Sequence, residues 1–181
     1  MYTSDLRLDL ACGASKKEGF VGVDISAECK PDIVLDLLKF PWPWGDSSVD
    51  EIHCSHYIEH IPMRETPEGK DMFIAFMDEC WRVLKPSATA TFHCPCARSN
   101  RAFQDPTHRR FIVAETFLYF NKTWMEANKL EHYGVKADFD LAVDPVVPIE
   151  LQLLHPEAAA RRMNEGWNVV IDWRAILTVR K

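Results

Sequence analysis

Leu8-Asp9-Leu10-Ala11-Cys12-Gly13-Ala14-Ser15, followed shortly by Phe20-Val21-Gly22-Val23-Asp24, decides the fold. An apolar run leads into a turn of small residues, and a second apolar run ends in a carboxylate. Small residues let the backbone approach a ligand closely. An acid at the tip of a second strand can accept two hydrogen bonds from a ribose diol. Asp36 closes a third run, Asp32 to Asp36, so three acids stand in order at one edge of a parallel sheet.

Working outward, short runs rich in β-branched residues alternate with helical patterns, which predicts an α/β fold with a mostly parallel sheet. Strands are expected at Leu6 to Leu10, Phe20 to Asp24, Asp32 to Asp36, Val49 to Ser55 and about Ala88 to Cys94. Two later ones are expected at Phe139 to Val143 and Val169 to Val179. A helix is expected over Lys70 to Leu84, where Met72, Phe73, Phe76, Met77, Cys80, Trp81 and Leu84 recur at helical spacing and Pro86 follows. A short helix fits Glu157 to Asn164, and an apolar helical stretch surrounds Phe111 to Phe120. With 181 residues, one domain spanning 1–181 is expected.

The first turn separates two kinds of nucleotide ligand. Ala11 stands where a dinucleotide fingerprint has its first Gly, and Ser15 stands at its third position. Asp9 also sits at the mouth of the turn, where a pyrophosphate disfavours negative charge. S-adenosylmethionine carries no phosphate, and its sulfonium and ammonium tolerate a nearby carboxylate. Asp36 and Leu37 are placed to meet an adenine, by side chain and by backbone. An NAD-dependent Rossmann oxidoreductase is the alternative that this turn argues against.

Bulk properties set the remaining bounds. A net charge of −6 argues against a broad nucleic-acid-binding face. No apolar run approaches the roughly 20 residues that span a bilayer. Met1 to Asp5 shows no secretory pattern, so a cytoplasmic protein is expected. The six cysteines fall mostly in apolar runs and read as small hydrophobes rather than as a disulfide framework.

In sequence these features resemble the class I S-adenosylmethionine-dependent methyltransferases, especially small bacterial and phage-type members. The matching residues are the Leu8–Gly13 turn, Gly19 to Asp24, and Asp36-Leu37-Leu38-Lys39-Phe40-Pro41-Trp42-Pro43-Trp44 leading into Asp46 to Ile52. Ile58-Glu59-His60-Ile61 and Glu79 to Pro86 continue the match. The resemblance implies a Rossmann-like, seven-stranded, mostly parallel sheet in the order 3-2-1-4-5-7-6. Its last strand is antiparallel, and helices lie on both faces. It implies S-adenosylmethionine as cofactor, with Asp9, Ala11, Cys12, Gly13, Asp24, Ile25, Asp36, Leu37 and Ser55 as contacts. Ten residues separate Gly13 from Asp24, so the first helix is expected to shrink to about one turn. Ala11 replaces a common Gly, and Ser87-Ala88 replaces a Gly pair.

The resemblance directs the methyl group past the fourth strand, toward His53 to His60, His93 to Cys96 and Phe103 to Arg110. An Asn-Pro-Pro-aromatic motif is absent there, which lowers the case for a nucleobase amine. A small molecule or glycan with a hydroxyl or amine acceptor is expected. His56 and His108 are the candidate bases, since imidazole titrates near neutral pH. Metal is not expected, because Cys94-Pro95-Cys96 lacks the Cys-x-x-Cys spacing of structural zinc. Residues 95–136 are expected to form a lid over the acceptor, with Phe103, Phe111, Phe117, Tyr119, Phe120 and Trp124 supplying its wall. A non-catalytic S-adenosylmethionine-binding module is the second alternative.

Overall fold

A computed structural model describes residues 5–181; Met1 to Ser4, part of the stretch read for a secretory signal, lie outside it. The strands are β1 (Arg7–Leu10), β2 (Val21–Asp24), β3 (Ile33–Val34), β4 (Val49–Ser55), β5 (Leu84–Pro95), β6 (Phe139–Val146) and β7 (Asp172–Val179). They form one seven-stranded sheet in the order β3-β2-β1-β4-β5-β7-β6. Strands β1 to β5 pair in parallel, and β7 runs antiparallel to both β5 and β6. Order and direction agree with the expectation. The five parallel strands therefore end on one edge, and Asp172 at the start of β7 joins them through its pairing with Pro95.

One long helix covers one face. In α1 (Met72–Val83) the Asp71 side chain accepts from the Phe73 and Ile74 amides and so caps the first turn. Met72, Phe73, Phe76, Met77, Cys80 and Val83 are buried against Ile52, Cys54, Ala90 and Phe92. Phe76 contacts Trp42, Tyr57 and Phe92 in tilted or edge-on pairs. The chain passes from Val83 directly into β5, which takes in Leu84, expected as the last helical residue, and Pro86, expected to end the helix. Pro86 is tolerated because it lies near the exposed start of the strand.

The expected second helix layer is reduced. Residues 11–20 link β1 to β2 without a helix, and the β2–β3 link holds a single 3-10 turn, Ala27–Cys29. Ten residues can still return along a four-residue strand, because an extended chain spans roughly 3.3 Å per residue. Phe20 closes this loop onto the sheet, its ring under Arg7 and Lys17 and edge-on to His53.

The expected lid divides in two. Residues 96–113, with α2 (Arg101–Gln104), lie beyond the end of β5. The following 3-10 segment Ala114–Phe120 packs on the sheet: Phe117 is fully buried beside Phe92, and Phe120 is edge-on to Phe73. Phe117 and Phe120 are therefore core residues and not a pocket wall. Phe103 is 54% exposed and stacks on Phe111. Downstream come α3 (Lys122–Ala127), α4 (Ile149–Gln152) and α5 (Pro156–Glu165).

Candidate active site at the carboxyl edge of the sheet

The turn after β1 is shaped by backbone geometry. Ala11 and Gly13 both have positive φ, 52° and 55°. At Ala11 that conformation favours glycine, which explains why the sequence pattern wants one there. The Cys12 amide donates to the Val23 carbonyl, and the Gly13 amide donates to Asp24 Oδ2 at 2.9 Å. The Ser26 amide donates to Asp24 Oδ1 at 2.8 Å. Asp24 thus ties the turn to the tip of β2 and keeps further lone pairs on both oxygens. Nothing lies within 4 Å of a Cβ built on Gly13, so the space before the turn is open.

The neighbouring positions, expected to meet the adenosine, differ in exposure. Ile25 is 66% exposed directly after Asp24, an apolar side chain with no protein cover. Asp36 is half-exposed; its Oδ1 accepts from the Leu38 amide, and Lys39 lies 3.9 Å from Oδ2. The Leu37 side chain is buried in the core, and its carbonyl accepts from Trp42 Nε1. Ser55 ends β4 opposite His93. Cys12 is half-buried; burial, and then the charges of Asp9 and Asp24, push its thiol pKa up.

Asp9 sits differently from the other two acids. It is buried, its Oδ1 accepts from His53 Nδ1 at 2.6 Å, and its Oδ2 accepts from the Lys17 amide at 2.7 Å. Both oxygens are engaged in holding the 13–17 loop against β4. Tyr57 is a residue that the sequence reading missed. Its ring packs on Phe76, and burial raises its phenol pKa. Its signal was modest: an aromatic just past the end of β4.

The side expected to face an acceptor gathers more groups than the sequence pointed to. His56 has φ 53°, and its amide donates to the His93 carbonyl at 2.8 Å. Its Nδ1 lies 3.3 Å from Glu59 Oε1, an ion-pair distance without hydrogen-bond alignment. The Glu59 carboxylate pushes the His56 pKa up, against the opposing effect of burial. Burial and the neighbouring His53 and His56 push His93 down. Asp172 is buried, which raises its pKa; one oxygen pairs with Arg101 at 2.8 Å, and the other has no partner. His108 is almost enclosed, with its Nδ1 donating to the Ala102 carbonyl at 2.9 Å. His56 and His108 thus lie on the same edge, one half-exposed and one enclosed.

A cleft of about 410 Å³ runs along α1, lined by Phe40, Lys70, Asp78, Glu79, Trp81 and Arg82. Of its charged groups, Lys70 is matched with Asp78 and Arg82 with Glu79.

Strand order, the antiparallel β7 and the acid-tipped strands define the class: this is the Rossmann-like fold of the S-adenosylmethionine-dependent methyltransferases. The protein is similar over 97% of its length, and 86% of the other chain, to an S-adenosylmethionine-dependent methyltransferase from Archaeoglobus fulgidus (20% identity, TM-score 0.67). It is similar over 99% of its length, and 94% of the other chain, to one from Methanosarcina mazei (14% identity, TM-score 0.57). Similarity extends to phosphoethanolamine N-methyltransferase 2 from Haemonchus contortus, in complex with phosphomonomethylethanolamine and S-adenosylhomocysteine. There it covers 99% of this chain and 49% of the other (14% identity, TM-score 0.52). At these identities the likeness is one of fold. No family model and no curated protein matches the sequence. Among the described residues, no helix is long and apolar enough to cross a membrane.

Proposed function

We propose that the protein is an S-adenosylmethionine-dependent methyltransferase acting on a hydroxyl or amine of a small molecule or glycan. The observation that carries this reading is Asp24. It bridges the positive-φ turn to the tip of β2, beside the uncovered Ile25 and the half-exposed Asp36. When bound, S-adenosylmethionine supplies a methyl group on a positively charged sulfur. Asp24 accepts from the ribose hydroxyls with the lone pairs left by Gly13 and Ser26. Ile25 covers the adenine, and Asp36 with the Leu37 backbone meets its edge. The Ala11–Gly13 turn, including Cys12, approaches the methionyl part, with Ser55 and Tyr57 at the end of β4. The acidic surroundings favour a cation over a dinucleotide phosphate.

Methyl transfer needs alignment, exclusion of water, and a base only where the acceptor must lose a proton. His56 is the base in preference to His108, since it is 41% exposed against 8% for His108. Residues 96–113 close over the acceptor. The −6 net charge supports an acceptor other than nucleic acid.

Thermal unfolding tests the reading. At 100 times Kd a ligand stabilises by about 2.7 kcal/mol, or about 5–10 °C for a chain of this size. S-adenosylhomocysteine should give this rise and NAD should not. Turnover of S-adenosylmethionine against an acceptor panel then separates an enzyme from a binding module. A rise with NAD alone would overturn the proposal.

A further inference from the structure

We infer that Glu59, His60 and His108 bind one divalent transition-metal ion beside the acceptor end of the edge. One ligand atom from each lies within 4.8 Å of those of the other two. Two imidazoles and a carboxylate that leave positions open are a donor set used for zinc and iron.

Glu59 is the strongest observation. It is 1% exposed, and both of its carboxylate oxygens are buried without a hydrogen-bond partner. A buried carboxylate is held in place by paired charges, by donors or by a metal. Elsewhere the protein follows that rule: Glu79 accepts from the Trp42 amide and pairs with Arg82, and Asp78 accepts from two amides and pairs with Lys70. Glu59 has only the misaligned His56 on one side. One oxygen can face His56 while the other meets an ion.

The imidazoles are arranged as ligating histidines are. His108 Nδ1 faces the Ala102 carbonyl, which can only accept, so the proton sits on Nδ1 and the lone pair on Nε2. The Thr107 hydroxyl gives its proton to Asp105 at 2.7 Å, so it accepts from His60 Nδ1 at 3.0 Å. That again leaves the lone pair on Nε2. Outer hydrogen bonds of this kind fix the tautomer and ring orientation of metal-bound histidines. The Arg109 and Arg110 amides both donate to the Glu59 carbonyl, at 2.7 and 3.0 Å, and hold the two segments together. The protein's own backbone therefore brings the donors near one another. Donors around a tetrahedral zinc ion stand ~3.4 Å apart, so the three close inward by up to ~1.4 Å on binding it.

This site is separate from the cysteines weighed in the sequence, of which Cys94 and Cys96 are buried. It also stands independently of methyl transfer. Protein stripped by a chelator and titrated with Co(II) and Zn(II) should bind one equivalent, with visible cobalt bands. His60→Ala, Glu59→Gln and His108→Ala should each weaken binding at least tenfold. His60→Ala is the safest variant to fold, because His60 is only partly buried. Affinity for S-adenosylhomocysteine, measured on the same samples, should not change in His60→Ala. No stoichiometric uptake by wild type, or uptake undiminished in all three variants, overturns the metal site. Loss of S-adenosylhomocysteine binding by wild type with metal uptake intact overturns only the methyltransferase reading.

Discussion

Replacing Asp24 by Ala perturbs two things at once, and the structure predicts each separately. The carboxylate accepts from the Gly13 amide at 2.9 Å and from the Ser26 amide at 2.8 Å. Bonds to a charged acceptor contribute roughly 1.5–3 kcal/mol each, and partial exposure places these two at the low end. Their joint loss should cost about 3 kcal/mol, or about 6–12 °C in melting temperature. Ligand binding loses a further charged acceptor for the ribose. One such bond at about 1.5 kcal/mol is worth about tenfold in Kd, and two would exceed a hundredfold. Asp32→Ala is the control. Asp32 accepts from the Gly22 amide at 2.7 Å and pairs with Lys16, so it braces the same loop from before β3, at the opposite edge. Calorimetric titration with S-adenosylhomocysteine, beside thermal unfolding of all three proteins, separates bracing from contact. Equal affinity in wild type and Asp24→Ala, or an equal loss in Asp32→Ala, would refute the ribose assignment.

Three further outcomes are expected. His56→Ala should lower turnover by about 10²–10⁴, with S-adenosylhomocysteine affinity within twofold of wild type, and unchanged turnover removes His56 as base. Cys12 should alkylate slowly, because burial and then Asp9 and Asp24 disfavour its thiolate; S-adenosylhomocysteine should slow it severalfold more, whereas a rate indifferent to the ligand takes the turn out of the site. Phe117→Ala should cost about 3–5 kcal/mol in denaturant unfolding, because the ring is fully buried, and exposed Phe103→Ala should cost under ~1 kcal/mol. Similar costs at both positions would reject the division of the 95–136 segment into a packed part and an exposed part.

Much of the sheet was legible because strand residues alternate. In β4, Ile52 and Cys54 are buried on one face, while His53 between them meets Asp9 on the other, and the apolar positions show this in sequence. Helix α1 was legible for the same reason at helical spacing. Periodicity does not tell what covers an apolar stripe, however. Phe117 and Phe103 looked alike in sequence, and only the packing of 114–120 on β5 separates them. Glu59 was quoted in a motif yet given no role, because an acid between Ile58 and His60 reads as a solvated turn. Its burial comes from the 105–110 loop crossing over it, a long-range contact without local signature. Asp172 escaped because its chemistry depends on Arg101, far away in the chain.

The shortened β1–β2 connection explains why this protein commits carboxylates where a longer relative of the fold has room for a helix. A helix N-terminus supplies several aligned backbone amides to a ligand. Here the loop is too short for one, and its amides point to side chains instead: Gly13 to Asp24 and Lys17 to Asp9. Each acid fixes one point of the loop, so the turn is held from both strands without helical hydrogen bonding. The same choice makes the edge negative. A phosphate-bearing ligand would meet that charge with few amides in compensation, whereas the sulfonium and ammonium of S-adenosylmethionine are attracted to it. Ten residues of connection therefore bear on both the architecture and the kind of ligand that the edge can hold.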